Sequence, residues 1–282
     1  MASHRLSSLT DQIAQADGLL AHPSANRLFI DVRLGEPAEE LRSFRDAHIH
    51  GAVHAQIRDV FAGPAGPDTG TLPLPAPDML RQQLIAWGVD GDTELIVYGP
   101  SVALAARAWW VLRWAGLRKV RVLDGGIKAW TALGGPLAQG DAPPRTPRST
   151  AALVLQPGGM PEATVNDVEE MGPETLLLDA RDESAFLAGA IPGAVNLPSS
   201  LQWTPGATLR TVEELSALYA QGGALQARDV VAYCGGGVLS ALTVLTLSAL
   251  GATPRLFVGS WSEWSRDPTR MARSATATQE AA

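Results

Sequence analysis

The sequence predicts an α/β protein of two tandem domains, each a parallel sheet flanked by helices. Short apolar strands, such as "TLLLDAR" (175–181) and "RDVVAYCGGG" (228–237), alternate with helical stretches such as "VEELSALYAQGG" (212–223). Continuous apolar strands are typical of parallel sheets that are covered on both faces. The same order of landmarks also occurs twice along the chain, which indicates a duplicated unit.

The duplication rests on four landmarks that keep their order in both halves. Each half has a strand that ends in an acidic residue, then a glycine turn, then a strand ending in tyrosine, then a tryptophan. The matched pairs are Asp31 with Asp179, Gly51 with Gly193, Tyr98 with Tyr233, and Trp130 with Trp264. Because strands and helices alternate within each half, right-handed crossovers and two similar domains are expected.

These matches assign residues 8–136 to the first domain and residues 163–270 to the second. The segment 137–162 is rich in Pro, Gly, Ser and Thr and is therefore predicted to be a linker. Within it, "AALVLQ" (151–156) either adds a strand or packs along the first domain. The tail 271–282 has no periodicity, and we expect it to be disordered.

Composition excludes several classes of function. The net charge of −7 disfavours binding to duplex nucleic acid, which requires clustered Lys and Arg. No apolar run reaches the roughly 18 residues of a membrane span. The first residues, "MASHRLSSLTDQIAQADGLL", make a poor signal peptide, and a single cysteine cannot form an intramolecular disulfide. We therefore expect a cytoplasmic protein with no nucleic-acid or membrane partner.

Cys234 is the only cysteine, and it lies between an apolar strand and an apolar helix. Ligands of parallel α/β sheets collect at the carboxyl ends of strands. Glycines can turn several N–H groups toward one point, and the helix N-terminus adds a positive dipole end. Such a cradle favours the thiolate, which is the nucleophilic form. The predicted catalytic residue is Cys234, and the predicted cradle is Gly235, Gly236, Gly237, Val238 and Leu239.

Other interpretations of this loop are weaker. A lone cysteine can be a small buried apolar residue, but packing alone does not need three glycines. The loop lacks the Lys-Ser/Thr of a phosphate-binding P-loop. A cysteine phosphatase needs an Arg where this chain has Ser240, and no Arg or Lys lies within 229–254. No cluster of His, Cys, Asp or Glu has metal-ligand spacing, so we expect neither metal nor cofactor.

The segments "YCGGGV" (233–238), "GAIPGAVNLP" (189–198), "DAR" (179–181) and "VGSWSEW" (258–264) resemble the two-domain rhodanese family of sulfurtransferases. The resemblance implies tandem rhodanese-like domains, of which the first is non-catalytic because Gly99 stands in the place of Cys234. It also implies a ping-pong reaction in which the thiolate takes sulfur from a small anionic donor and becomes a persulfide. A thiol, cyanide or a thioredoxin-like protein then accepts the sulfur.

The resemblance also bears on the donor. Mercaptopyruvate-type relatives have Cys-Gly-Ser-Gly-Val-Thr in this loop, whereas thiosulfate-type relatives have Arg and Lys after the cysteine. The neutral loop here favours 3-mercaptopyruvate, with thiosulfate as the alternative. Gly236 and Leu239 replace the serine and the threonine, so both hydroxyls are missing. A sulfur carrier or binding module with weak turnover is therefore a third candidate.

Outside the loop, the resemblance points to Arg181 and His48 as substrate-binding residues. Arg181 belongs to "DAR", and pairing with Asp179 is its alternative role. His48, in "AHIHGA", resembles a histidine that faces the cleft in mercaptopyruvate-type enzymes, and a structural role at a turn is its alternative. A second family arginine, four residues after that of "DAR", is Ala185 here.

Overall fold

The computed structural model describes residues 9–142 and 153–280, and each copy of the duplicated unit folds around a parallel sheet. Residues 1–8, 143–152 and 281–282, which include much of the predicted linker and the end of the tail, lie outside the described residues. The apolar runs of both halves form the strands, as expected of strands covered on both faces.

The first sheet has the order β1-β6-β5-β2-β4, with every neighbouring pair parallel. The strands of the first half are β1 (Ile13–Ala14), β2 (Arg27–Arg33), β3 (His48–Ile49), β4 (Val53–Gln56), β5 (Glu94–Tyr98), β6 (Val120–Leu123) and β7 (Leu137–Ala138). The helices are α1 (Leu9–Gln12), α2 (Ala16–Ala21), α3 (Pro37–Asp46), α4 (Pro77–Ala86), α5 (Val102–Trp114) and α6 (Gly126–Ala132), with a π-helical turn at Ile57–Phe61. Strands β3 and β7 form a separate antiparallel pair.

The second sheet has the order β10-β9-β11-β12-β8, again with parallel neighbours. Its strands are β8 (Glu162–Ala163), β9 (Thr175–Asp179), β10 (Val195–Asn196), β11 (Asp229–Tyr233) and β12 (Arg255–Phe257). The helices are α7 (Val165–Glu169), α8 (Glu183–Leu187), α9 (Val212–Gln221), α10 (Leu239–Ala249), α11 (Ser260–Trp264) and α12 (Pro268–Glu280), with a 3₁₀ turn at Ser199–Gln202.

The two sheets have the same topology when the second is read in reverse, because β1, β6, β5, β2 and β4 correspond to β8, β12, β11, β9 and β10. Equivalent contacts repeat as well. The Tyr98 hydroxyl accepts a hydrogen bond from the Ile49 N–H, and the Tyr233 hydroxyl accepts one from the Ile191 N–H. The duplicated plan that the landmarks predicted is therefore present in the fold.

Helices α5 and α10 pack against each other and join the two halves. Both are apolar on nearly every side, as expected of helices without a solvent face. Trp109 and Trp110 of α5 are almost completely buried, and residues of both halves belong to one continuous hydrophobic core. Fully burying a large apolar side chain contributes about 1.5–3 kcal/mol, so this interface stabilises the two domains as a unit.

Residues 153–159 of the predicted linker run along the first domain. The side chain of Arg81 donates to the carbonyl of Leu153, and the Gln156 N–H donates to the carbonyl of Ala115. Residues 153–156 therefore pack on the first domain and add no strand to its sheet.

The C-terminal helix α12 continues to Glu280, within the stretch 271–282 for which the sequence predicts disorder. Two hydrogen bonds hold the first half of this helix. The Asp267 carboxylate accepts from the Thr269 N–H, and the Trp264 indole donates to the Ser274 hydroxyl. The contact between Trp264 and Ser274 joins α11 to α12 and is not visible in sequence periodicity. No helix in the described part of the chain is long and apolar enough to cross a bilayer.

Candidate active site

Cys234 follows the central strand of the second sheet, where β11 lies between β9 and β12. Its residue surface is only 1% exposed. The carbonyl groups of Cys234 and Gly235 accept hydrogen bonds from the first N–H groups of α11, those of Trp261 and Ser262, both at 2.9 Å. Because these carbonyls point toward α11, the N–H groups of the following residues point to the opposite side of the loop.

The sulfur atom lies at the N-terminus of α10. The Gly237 N–H donates to Sγ of Cys234 at 3.1 Å, and the Ser240 hydroxyl donates to it at 3.4 Å. Val238 is the N-cap residue of α10 but provides no side-chain cap. In the equivalent helix α5, the Ser101 hydroxyl performs that role. The sulfur thus lies beside the N-terminal end of α10, where the helix dipole favours negative charge.

The three glycines differ in what they require. Gly237 has φ of +80°, and an added Cβ would lie 2.6 Å from the carbonyl oxygen of Val258. Position 237 therefore accepts only glycine without strain. At Gly236, an added Cβ would lie 2.7 Å from the Thr71 hydroxyl, whereas the space at Gly235 is open. Among the described residues, the N–H groups of Gly235 and Gly236 have no acceptor, so they are free to bind an anion.

Ser260, the first residue of α11, supports the loop that bears Cys234. Its hydroxyl accepts from the Cys234 N–H at 3.2 Å and donates to the carbonyl of Phe257 at 2.9 Å. Its φ is +54°, which is uncommon for a residue other than glycine. The two hydrogen bonds hold this conformation and fix the backbone of Cys234, directly before the cradle.

The first domain provides the opposite wall of the site. The Thr71 N–H donates to the Ser262 hydroxyl at 2.9 Å, and the two hydroxyl groups are 3.3 Å apart. Gly70 lies directly against the backbone of Gly259. From α5, the Arg107 guanidinium donates to the carbonyl of Gly237 at 3.4 Å. The sulfur therefore lies between the two domains.

Arg181 is close to the loop but is engaged with Asp179. The guanidinium forms an ion pair with that carboxylate and donates to the carbonyl of Gly189 at 2.7 Å. It also lies over the Trp261 ring, with its central carbon 4.7 Å from the ring centroid. Burial opposes the charge of the guanidinium. The hydrogen bonds that Arg181 donates to Asp179, together with the negative charge of that carboxylate, outweigh burial and raise the pKa of Arg181 above its ordinary value. The structure thus provides the pairing considered as its alternative role.

His48, which the resemblance gives as a substrate-binding residue, lies in the interior of the first domain. Its ring is fully buried in the first domain and stacks on Phe44, with ring centroids 3.9 Å apart. Its Nδ1 lies 2.9 Å from the carbonyl of Phe44. Strand β3, which begins with His48, pairs with β7. The stacking and the hydrogen bond make His48 a core residue.

Three residues at the site were not found by sequence reasoning. In the sequence, Ser240 is notable only as the position where a cysteine phosphatase would have Arg. Thr71 and Arg107 belong to the other copy, and no local pattern connects them with the loop. One signal for Arg107 was available, since it is a charged residue among alanines and tryptophans in "VALAARAWWVLRW" (102–114).

The equivalent position in the first copy has no room for a side chain. The carbonyl oxygen of Val32 occupies the space where a Cβ on Gly99 would lie. A cysteine there would displace the backbone of β2. The backbone of the first copy, as it stands, therefore leaves no space for a cysteine at position 99.

Comparisons with known proteins agree with this architecture. A family model described as the rhodanese-like domain matches residues 14–133 and 164–267. The chain is 37% identical to a Pseudomonas aeruginosa protein provisionally named 3-mercaptopyruvate sulfurtransferase, over 92% of this chain and 96% of that protein. It is 35% identical to a Mycobacterium tuberculosis protein provisionally named thiosulfate sulfurtransferase, over 87% and 89% respectively. The crystal structure of an Escherichia coli 3-mercaptopyruvate sulfurtransferase superposes with a TM-score of 0.77 and 28% identity, covering 90% of this chain and all of that one.

Proposed function

The chain belongs to the rhodanese family and is a sulfurtransferase, and we propose that it carries the transferred sulfur as a persulfide on Cys234. The thiolate would attack the outer sulfur of the donor. The bond between that sulfur and the rest of the donor breaks, and its electron pair leaves with the remaining fragment. From 3-mercaptopyruvate the fragment is the pyruvate enolate, which takes up a proton, and from thiosulfate it is sulfite.

One observation carries this proposal: two hydrogen-bond donors point at the sulfur of the only cysteine, which lies at a helix N-terminus. The Gly237 N–H and the Ser240 hydroxyl would stabilise negative charge on the thiolate before transfer. After transfer the charge lies one atom farther out, and the free N–H groups of Gly235 and Gly236 are available to it. A second nucleophile then removes the outer sulfur and restores the thiolate. A thiol, cyanide or a thioredoxin-like protein would serve as this acceptor.

The charges around the loop favour 3-mercaptopyruvate as the donor. Residues 234–239 contain no cation, and Arg181 is paired with Asp179. A dianion such as thiosulfate gains little from such a site, whereas a donor with one carboxylate needs less compensation. The Pseudomonas aeruginosa relative is named for 3-mercaptopyruvate and supports this order. Thiosulfate is the alternative donor, supported by the name of the Mycobacterium tuberculosis relative.

A sulfur carrier with weak turnover is the second candidate. Its support is the loop itself, since Gly236 and Leu239 provide no hydroxyl and Ala185 provides no cation. Such a protein would accept sulfur rapidly from another protein but only slowly from small molecules. Comparison of single-turnover transfer from the two kinds of donor separates the candidates, and fast turnover on 3-mercaptopyruvate excludes the carrier.

We further propose domain limits of 8–136 and 163–270, with the first domain non-catalytic. Gly99 supports this assignment because its environment excludes a side chain. A free, unpaired thiol is maintained best in a reducing compartment, so we propose a cytoplasmic location.

The intact mass of the protein tests the persulfide. The chain is mixed separately with 3-mercaptopyruvate and with thiosulfate, and the mass is measured before an acceptor is added. We expect the gain of one sulfur atom with 3-mercaptopyruvate, its loss on addition of cyanide, and no gain in Cys234→Ser. A sulfur adduct that persists in Cys234→Ser would place the chemistry elsewhere.

A further inference from the structure

Arg107 is a buried cation that the transfer chemistry described above does not use. It lies on α5 of the first domain and is fully buried. Its guanidinium donates to three backbone carbonyls: those of Leu72 at 2.8 Å, Phe61 at 3.4 Å and Gly237 at 3.4 Å. Its Nε has no hydrogen-bond partner, and within residues 9–142 and 153–280 no carboxylate forms an ion pair with it.

A buried guanidinium without a carboxylate is costly, because its charge has left water without an opposite charge to replace the solvation. Burial lowers the pKa of Arg107 to about 10, and the Cys234 thiol acts in the opposite direction. At neutral pH the side chain is therefore still a cation. The energetic cost of burying the guanidinium is smaller if an anion forms beside it during part of the reaction cycle.

Gly237 connects the cation with the sulfur. Its N–H donates to Sγ of Cys234, while its carbonyl accepts from Nη1 of Arg107. The same nitrogen lies 3.0 Å from the position that a Cβ on Gly237 would take. The guanidinium is thus packed against the back of the cradle, and the sulfur lies at its front.

We propose that Arg107 of the first domain is a positioning residue for Cys234, which holds Gly237 in place and stabilises the anionic sulfur with its buried charge. It acts through Gly237 and through the electrostatic field, without contact with the donor. The role rests on the proposed sulfur chemistry, because that chemistry gives the sulfur its negative charge. It also gives the silent domain a function in the reaction beyond that of a wall.

Other charged groups around the loop are satisfied elsewhere. Arg181, at the end of β9, is paired with Asp179. Glu263 of α11 lies near Arg266 and Arg270, and burial raises its pKa. Burial and the charge of Asp179 raise the pKa of Tyr233 far above neutrality, so this side chain stays uncharged. A change in the charge of Arg107 can therefore be measured against a constant background.

Titration of the thiolate tests the proposal, since the chain has one cysteine. The ultraviolet absorbance of the thiolate is followed against pH in the full-length protein, with Cys234→Ser as the blank. Arg107→Met removes the charge but keeps much of the side chain's volume, and Arg107→Lys keeps the charge. Arg113→Met is the matched control, because Arg113 lies on the same helix and donates to the carbonyl of Arg118 at the surface.

We expect Arg107→Met to move the titration midpoint upward by about one pH unit, which corresponds to an acid dissociation constant of the thiol about tenfold smaller. Arg107→Lys should have a midpoint close to that of the unmodified protein, because it keeps the charge. Arg113→Met should titrate as the unmodified protein does. An Arg107→Met midpoint equal to that of the control would overturn the proposal.

If Arg107→Met does not fold, Arg107→Lys decides. A charge effect predicts a nearly unchanged midpoint, whereas a purely geometric clamp predicts the full shift, because lysine cannot bridge three carbonyls. The titration needs no sulfur donor. Failure of sulfur loading would therefore count against the proposed function and leave the result for Arg107 intact.

Discussion

Gly237 donates its N–H to the sulfur of Cys234 across 3.1 Å, and it does so from a left-handed conformation with φ of +80°. The conformation turns the N–H toward the sulfur and the carbonyl toward Arg107. No other residue type combines this φ with the space available, because the carbonyl of Val258 closes the position where a Cβ would lie. The thiol, the cradle and the interface with the first domain are therefore joined at a single residue.

Gly237→Ala should damage both the fold and the reaction. A positive φ and the overlap with Val258 together should cost about 2–4 kcal/mol of the free energy of unfolding. The rate of sulfur loading should fall at least about tenfold as the N–H moves away from the sulfur. Chemical denaturation and single-turnover loading measure the two effects. Gly235→Ala is the control for stability, because nothing lies within 4 Å of its Cβ position. An unchanged loading rate in a folded Gly237→Ala variant would contradict the role of the Gly237 N–H as a hydrogen-bond donor to the sulfur.

Ser240→Ala should slow sulfur loading with little effect on stability. The hydroxyl donates to Sγ of Cys234, and hydrogen bonds to charged groups contribute about 1.5–3 kcal/mol, which predicts at least about tenfold slower loading. Pre-steady-state measurement of pyruvate release gives the rate. Ser248→Ala lies on the same helix α10 and should load as the unmodified protein does. Equal rates in the two variants would show that the hydroxyl is only a packing group.

Arg181→Lys and Arg33→Lys form a matched pair, because the two arginines occupy equivalent positions in the copies. Each is paired with a fully buried aspartate, Asp179 or Asp31. Since lysine cannot make the two-pronged contact, both variants should lose about 1–3 kcal/mol of the free energy of unfolding. If Arg181 also binds the donor, only its variant should raise KM, by about tenfold. Steady-state kinetics decide, and equal KM values would assign Arg181 a structural role alone.

Glu263→Gln should change how stability depends on pH. Burial raises the pKa of Glu263 above its ordinary value of 4.5, so the folded state holds the proton more tightly than the unfolded state. That contribution is fully present below pH 4.5 and is lost as pH rises above it. The variant should therefore have the higher Tm at neutral pH, and the difference should shrink on acidification. Glu213→Gln, at an exposed position on α9, is the control. A Tm difference that is independent of pH would contradict the assignment.

The sequence predicted those features that depend on local pattern. Apolar strand runs, ordered landmarks and a cysteine before three glycines were sufficient for the duplicated parallel sheets and for the position of the thiol. The contacts across the domain interface could not be predicted from local sequence pattern, because Thr71 and Arg107 lie more than a hundred residues before Cys234. His48 shows the opposite limit. A histidine at a turn fits a cleft or a core equally well in the sequence, and only stacking on Phe44 decides between them.

The burial of α5 against α10 has an evolutionary consequence. A duplicated unit is redundant at first, and a copy without a thiol would be free to diverge unless the other copy depended on it. Here the first copy covers apolar sides of α10 and supplies the guanidinium behind the cradle. Deletion of either copy would leave the other with an exposed apolar helix, so the two copies should depend on each other for their stability. Substitutions on α5 should therefore be constrained as strongly as those in the loop that bears the thiol.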